Sequence, residues 1–514
     1  MGPISHSINF LEELQKSVGL FAPETALTVT FLLAIVADLI FRRSRNVTGF
    51  IALLGFIATG ALLMSNSSTS AFAFNSTYAI DPFANFFKLL ILITSYLIVV
   101  ISFFSAELYH GNRKLGEYYT LIIGMTFGMF ILCSSTNLIM IYIGIEAMSL
   151  CSYVLSGYTK EIRRSSEASL KYVIYGAVSS GIMIYGISLI YGLTGHLGLA
   201  EINHSLNVAN LDHITLLVSG MMIIAGFAYK ISAVPFHFWT PDVYEGAPVT
   251  ITAFLSVASK AAGFAALIRF FKVVFAAVPA QGSIPDATWN MLGSIDWRIV
   301  IAILSVLTMT LGNLVALKQT NVKRLLAYSS IAHAGYMLMG VTVMSEIGVQ
   351  SVLVYLVAYM FMNLGAFYVV MQYANLIGSE ELEDYTGIGY RAPVLGICMV
   401  IFLVSLLGFP STVGFIGKLY IFSAVLSFAG KNGQNFYWLA IMGVINSAIS
   451  AYFYIKIVRN MFVRGAEFDK EKFKLSPESL VVALIIVIPT LYFGLFPGAV
   501  IRWAETSLKI LVGN

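Results

Sequence analysis

The feature that most constrains this chain is a series of continuous apolar runs, each about as long as a bilayer is thick, separated by short polar breaks. A helix crossing the hydrocarbon core takes about 20 residues, and inside the core every backbone N–H and C=O must find its partner within the segment. Runs of this kind select membrane-spanning helices. A β-barrel needs segments of about 10 residues that alternate apolar and polar, which these do not. Composition agrees, since 58% of the 514 residues are hydrophobic and only 11% charged, against about a quarter charged in soluble domains. The same balance excludes disorder, which needs low hydrophobicity and high charge.

Hydropathy read in a window of about 19 residues places fourteen spans, at 20–41, 47–65, 82–106, 117–135, 137–158, 166–194, 212–240, 248–275, 297–317, 323–345, 349–377, 393–429, 436–462 and 477–501. The expected fold is an all-α polytopic membrane protein with little room for a soluble domain. Loops after odd-numbered spans hold about 17 basic residues, among them Arg42, Arg43, Arg113, Lys114, Lys323 and Arg459, and the opposite side about five. The positive-inside rule then puts both termini outside and the basic loop 459–474 in the cytoplasm. Loop 378–384 is acidic yet falls on the inner side. The first run follows Glu12 and Glu13 instead of a basic stretch, so it reads as a retained helix and not a signal peptide.

Two spans look interrupted. The seventh carries Lys230 and then Pro235; the twelfth carries Gly408-Phe409-Pro410 and then Gly414, Gly417 and Lys418. Proline deletes a backbone donor, so the helix has to open and find other partners. The expected organisation is three helices in 1–116, a five-helix block in 117–275, a second in 297–462, and a loop with the last helix in 463–514. Five is odd, so successive five-helix units have inverted topology, as in many transporters.

A few ionisable residues lie where hydrocarbon surrounds them. Glu146 is near the middle of span five, Lys260 near the middle of span eight, and Lys230 and Lys418 sit at the two interruptions. Each mid-membrane charge costs about 2.5–3.5 kcal/mol on insertion scales, so four unpaired ones cost on the order of 10 kcal/mol, comparable to a whole protein's stability. They must pair, neutralise or touch internal water. Buried ion pairs that orient helices are one reading; a proton or ion path is the other, and it gains from the chemistry. A carboxylate near a desolvated amine helps it hold a proton, so changing the distance between Glu146 and Lys230 changes how firmly the lysine is loaded. Lys171 could snorkel to the interface or join such a path, and His333 is either a satisfied core residue or, with Tyr328, Ser329, Ser330 and Tyr336 around it, part of a hydrated proton relay. Lys88, Arg269, Arg298 and Lys456 near span ends read as interfacial anchors, Asp38 and Glu24 as interfacial acids, and the aromatic residues as lipid-facing or belt residues.

Catalytic signatures are missing from the sequence: there is no P-loop, no GxGxxG after a strand, no GxSxG and no HExxH. Cys133, Cys151 and Cys398 are far apart, with no CxxC, which speaks against an iron–sulfur or zinc site or a disulfide framework. A membrane haem needs facing histidines, and only His237 and His333 come near spans. The charges are dispersed, which speaks against nucleic-acid binding.

Segment Ala228-Tyr-Lys-Ile-Ser-Ala-Val-Pro-Phe-His-Phe-Trp-Thr-Pro-Asp-Val-Tyr-Glu-Gly-Ala-Pro248 resembles the signature of the antiporter-like subunits of complex I, the proton-pumping NADH:quinone oxidoreductase. Leu150-Cys-Ser-Tyr-Val-Leu-Ser-Gly-Tyr158, Lys323-Arg-Leu-Leu-Ala-Tyr-Ser-Ser-Ile-Ala-His333 and Gly408-Phe-Pro-Ser-Thr-Val-Gly-Phe-Ile-Gly-Lys418 extend the likeness, which runs from about residue 20 to 500 and is similar above all to the subunit N (subunit 2) branch. The resemblance implies fourteen helices in two inverted repeats with broken spans seven and twelve. It implies Glu146 and Lys230 as the acid–base pair of one half-channel, Lys260 as the connecting lysine, Lys418 serving the other half-channel, and Lys171 and His333 as relays. It implies no cofactor in this chain; NADH or another donor, flavin, iron–sulfur clusters and quinone belong to partner subunits. The implied partners are other membrane-arm subunits, lipids and protons, and the implied site is a bacterial inner (plasma) membrane. A multisubunit cation/proton antiporter, a hydrogenase-type membrane complex and a structural scaffold are the alternatives.

Overall fold

The computed structural model describes residues 3–41, 44–110, 113–208, 212–277, 289, 295–428, 435–463 and 472–512, with side chains from Leu11 onward. Arg42, Arg43, Lys431, Arg464 and Lys470, counted in the loop charges, lie outside the described residues. Among the described residues, twelve helices are long and apolar enough to cross a membrane. They match the expected spans except the tenth and the twelfth. The tenth is the helix Val322–Thr342, of spanning length but diluted by Lys323, Arg324, Ser329, Ser330 and His333. The twelfth is two shorter apolar helices, Pro393–Leu407 and Val413–Leu426. The architecture is an all-α polytopic membrane fold.

Elements additional to the expected spans include two near the N-terminus. A helix Pro3–Leu20 precedes the first, with Leu11, Leu14 and Val18 exposed. A small antiparallel hairpin pairs Ala71–Ala73 with Tyr78–Ile80 before the third span. Its turn residues Phe74, Asn75 and Ser76 all have positive φ, which explains why a propensity reading passes over it.

Lipid offers no hydrophobic drive between helices, so close packing depends on small residues at the crossings. A Cβ on Gly128 would lie 2.6 Å from the Met148 backbone N, and one on Gly144 would lie 3.0 Å from Leu132 backbone atoms. These reciprocal contacts hold Gly116–Ser134 against Leu138–Ser156. The same device recurs between Trp297–Ala316 and Val322–Thr342, where Gly312 meets the Ala332 N at 2.6 Å and Gly335 meets the Met309 N at 2.5 Å.

Other features recur in the same order. Leu138 N donates to Leu197 O and Leu199 N to Thr136 O; Val322 N donates to Glu380 O and Leu382 N to Thr320 O. Asn137 and Asn321 both cap the helix that follows, through Ile139 N and Arg324 N respectively. A 32-residue helix, Arg163–Thr194 or Glu346–Ile377, comes next in chain order. Each ends on a left-handed glycine, Gly195 or Gly378. In the second frame the acidic loop ties helices together: Glu380 pairs with Lys323 at 2.9 Å, and Glu381 accepts from Asn321 at 3.1 Å.

Three residues expected at membrane interfaces are buried instead. Lys88 and Glu24 form an ion pair at 2.8 Å, joined by the Tyr78 hydroxyl at 3.0 and 2.7 Å. Arg269 is fully buried and grips Asp81 with two guanidinium nitrogens at 2.8 and 2.9 Å. Asp81 also caps its own helix through Ala84 N and accepts from Leu511 N. A paired, hydrogen-bonded charge tolerates low dielectric where a lone one does not, so burial won over snorkelling. Arg298 and Lys456 are half-buried and bond the carbonyls of Trp289 and Gln319. Removing one member of the Asp81–Arg269 pair leaves an uncompensated buried charge, worth about 3–5 kcal/mol. Asp81→Asn and Arg269→Gln should each lower the yield and melting temperature of the detergent-extracted protein, and the double variant should lose less than either single change. Additive losses would count against the pairing.

Candidate functional site

Helix His213–Ile231 stops one residue after Lys230. Ser232 takes left-handed backbone, at φ 63°, and Pro235 has no N–H to continue the ladder. The freed groups find partners nearby: Trp239 Nε1 donates to Tyr229 O at 3.0 Å, and Val234 N donates to Thr308 Oγ1 at 3.0 Å. Lys230 itself is 0% exposed. Its Nζ lies 5.8 Å from the centre of the Tyr172 ring and 5.7 Å from that of Tyr229, and no hydrogen-bond acceptor reaches it among the described residues.

Glu146 is half-buried on helix Leu138–Ser156 and accepts a hydrogen bond from the Ser180 hydroxyl. It makes no ion pair within 4 Å of Lys230 among the described residues, although its charge reaches that amine. The Tyr153 and Tyr229 hydroxyls occupy this region and feel the same carboxylate. Both fit because residue 176 is glycine: a Cβ there would lie 1.8 Å from Tyr153 Oη and 2.8 Å from Tyr229 Oη.

Lys260 lies in the segment Val249–Phe275, whose apolar window is wholly buried in the bundle. A π-helical turn, Leu255–Ser259, leads directly into it, and such turns are frequent at functional sites. Its Nζ donates to the Ser330 carbonyl at 2.8 Å. One turn further, Gly263 permits a close crossing; a Cβ there would lie 2.8 Å from Ile231 Cγ2 and 3.5 Å from Lys230 Cβ. The helices bearing the two lysines therefore touch.

His333 is 2% exposed and bonded at both nitrogens, Nδ1 to the Tyr355 hydroxyl at 2.6 Å and Nε2 to the Tyr454 hydroxyl at 3.1 Å. Tyr454 continues to Ser329 Oγ at 2.5 Å, and Tyr336 and Tyr359 pack on the ring. The charges of both Lys260 and Lys418 reach His333. Lys418 belongs to helix Val413–Leu426, beyond the second interruption. Its Nζ donates to Leu407 O at 2.7 Å and to Ser447 Oγ at 2.9 Å, and lies 4.9 Å from the centre of the Tyr336 ring. Leu407 ends the preceding helix, so the lysine satisfies a carbonyl that the break exposes. Gly408 makes this fit, with φ 89° and only 2.8 Å from the place of its missing Cβ to Lys418 Cδ.

Lys171 stands apart from this row. It is 38% exposed and pairs with Asp242 at 2.6 Å and Glu167 at 2.8 Å. Asp242 is shared with Arg324 at 2.6 Å, and Arg324 also holds Glu245 at 2.8 Å. With Arg164 these groups line a polar cleft of about 140 Å³.

The structure thus strings Glu146, Lys230, Lys260, His333 and Lys418 along one polar interior. The sequence reading missed what lies between them. Tyr172, Tyr229, Tyr244, Tyr355 and Tyr359 are among the largest fully buried side chains, whereas most aromatic residues were expected at lipid or in belts; Tyr336, expected beside His333, is fully buried too. Their signal was position, since a belt tyrosine sits at a span end and several of these fall mid-span. Amines, hydroxyls and an imidazole in series can pass a proton; among the described residues no His/Cys/Asp/Glu group could hold a metal.

A membrane bundle with buried lysines, an imidazole and hydroxyls in its interior is the kind of chain found among antiporter-like, proton-pumping membrane subunits. A family model described as NADH:quinone oxidoreductase/Mrp antiporter, transmembrane, matches residues 135–450. NADH-quinone oxidoreductase subunit N 2 of Chloroherpeton thalassium is 47% identical over 503 residues, covering 97% of this chain and 96% of the relative. A chain of respiratory complex I from Thermus thermophilus with bound Aureothin superposes with TM-score 0.74 at 28% identity, covering 93% of this chain and 98% of that one. A chain of the Mrp complex from Dietzia sp. shares the fold, with TM-score 0.78 at 19% identity, covering 95% of this chain and 97% of that one. The chain belongs to the antiporter-like membrane subunits of this family, in the subunit N branch of NADH-quinone oxidoreductase.

Gly408→Ala should force a Cβ into a left-handed position, costing about 1–2 kcal/mol, and push Lys418 off the Leu407 carbonyl. The assembled complex should show a lowered inactivation temperature and slower proton translocation than wild type. Wild-type values for both would contradict this description of the break.

Proposed function

We propose that this chain carries protons across the membrane as a non-redox subunit of a complex I-type enzyme, through Glu146, Lys230, Lys260, His333 and Lys418. The observation that carries the reading is the placement of three buried lysines with no carboxylate within 4 Å among the described residues. They are surrounded by hydroxyls, carbonyls and aromatic faces. An ion-pair scaffold would resemble Asp81–Arg269, where each charge has its counter-charge. Here the amines are left able to take up and release protons.

Glu146 tunes Lys230 from a distance, and the Lys230–Lys260 crossing and the His333 cluster connect toward Lys418. Lys171, paired with Asp242 and Glu167 in the Asp242–Arg324–Glu245 cleft, stands at the rim as a fixed charge at the solvent end of the path. The chain itself holds no electron carrier in this reading. NADH or another donor, flavin, iron–sulfur clusters and quinone reside in partner subunits, and quinone reduction there drives the transfer. The membrane is the bacterial plasma membrane, in keeping with the bacterial relative. The two frames, 117–275 and 297–462, are read as inverted five-helix repeats; the recurring glycine crossings, asparagine caps and 32-residue helices support that reading.

Lys230→Ala and Glu146→Ala should leave the complex assembled and still reducing quinone in uncoupled membranes, while proton translocation falls on the order of a hundredfold, the low end of the span for positioned proton carriers. Glu146→Asp should retain more than Glu146→Ala. Normal pumping by assembled Lys230→Ala complexes would reject the path.

A further inference from the structure

Among the described residues neither Lys230 nor Lys260 has an ion-pair partner within 4 Å, and buried hydroxyls lie near both; one of these is on the short helix Trp239–Gly246. Tyr244 is 0% exposed. Its ring packs edge-on against Trp239 at 6.1 Å and Phe367 at 6.3 Å. Trp239 in turn stacks on Tyr172 at 4.4 Å, the ring beside Lys230. The Tyr244 hydroxyl lies toward Ser330 Oγ, as does that of Tyr359 from the His333 side. Ser330 is the residue whose carbonyl holds Lys260.

Lys230 Nζ and the hydroxyls of Tyr172, Tyr244, Ser330 and Tyr359 are all buried, and none completes a direct hydrogen bond with another protein group among the described residues. Isolated buried polar atoms are rare, because each costs about 1–3 kcal/mol unless something satisfies it. Four such hydroxyls together with the Lys230 amine call for a shared partner, and water is small enough and both donor and acceptor.

We propose that Tyr244 is a positioning residue for proton transfer between Lys230 and Lys260. Its hydroxyl orders the water that joins the Tyr172 side of Lys230 to Ser330 and so to Lys260. The inference rests on the reading of this chain as a proton carrier and adds a residue to it. The proton leaves one amine for a water, crosses the Tyr244–Ser330 hydroxyls by exchange of O–H bonds, and arrives on the other amine, with no net change at either hydroxyl.

The test uses the whole assembled complex in proteoliposomes. Tyr244→Phe keeps the ring contacts and removes only the hydroxyl; Ser330→Ala removes the neighbouring one and keeps the carbonyl that binds Lys260. Each should slow coupled proton translocation on the order of a hundredfold, the low end for a positioned proton-transfer group, and enlarge the H2O/D2O rate ratio. The double variant should be no worse than the worse single one, because both break the same link. Additive losses with an unchanged isotope ratio would mark a packing role and overturn the inference. Lys230→Ala in parallel separates the two levels. If it pumps normally, the carrier reading fails; if it is blocked while Tyr244→Phe pumps at the wild-type rate, only the role of Tyr244 fails. Should Tyr244→Phe not assemble, Ser330→Ala and its isotope ratio decide alone.

Discussion

An ammonium group in hydrocarbon has to be solvated by something, and the rest of this structure follows from how the bundle meets that demand. It does so in two ways. Near the hairpin, Lys88 and Arg269 each receive a carboxylate, from Glu24 and Asp81. Along the bundle interior, Lys230, Lys260 and Lys418 receive aromatic faces, carbonyls and hydroxyls. The first arrangement fixes charge. The second leaves the proton free to move, because no counter-ion locks it in place.

The backbone breaks serve the same end. Helical segments use all their carbonyls internally, so a lysine inside an intact helix bundle finds few acceptors. Ending a helix at Leu407 exposes a carbonyl for Lys418, and ending one at Ile231 frees the Tyr229 carbonyl for Trp239, which in turn sets the Tyr172 ring beside Lys230. Gly408, Gly176 and Gly263 then give the side chains room to approach. The irregular backbone is tolerated at membrane depth because it is buried among protein groups.

Much of this was legible from residue order. The spans follow from run length alone, and Lys230, Lys260 and Lys418 announced themselves as charges in apolar surroundings. The interruptions were marked by Pro235 and by Gly408 with Pro410. What failed was the neighbourhood of each residue. Lys88, Glu24 and Arg269 sit close to span ends, where a single sequence cannot tell an interfacial anchor from a buried pair, since the deciding partner lies on another helix. Glu146 and Lys230 were expected to act on each other as an acid–base pair, and the carboxylate does reach the amine; what the sequence did not show is that Ser180, Tyr153 and Tyr229, from separate helices, occupy the ground around them. The internal repetition had a sequence trace, Thr136-Asn137-Leu138 against Thr320-Asn321-Val322, too short to notice before the shared capping and cross-links gave it a register.

The two-sided grip on His333 has one more consequence. A neutral imidazole has one donor and one acceptor nitrogen, so its bonds to Tyr355 and Tyr454 must point in the same sense around the ring. In the proposed path, a hydrogen ion entering at one nitrogen while another left from the opposite one would flip the tautomer and reverse both phenols. The cluster would then be a ratchet that has fired, unable to fire again in that direction until the hydroxyls, including the Ser329 link, had swung back. That reorientation would be a reset interval separate from the chemistry of hopping.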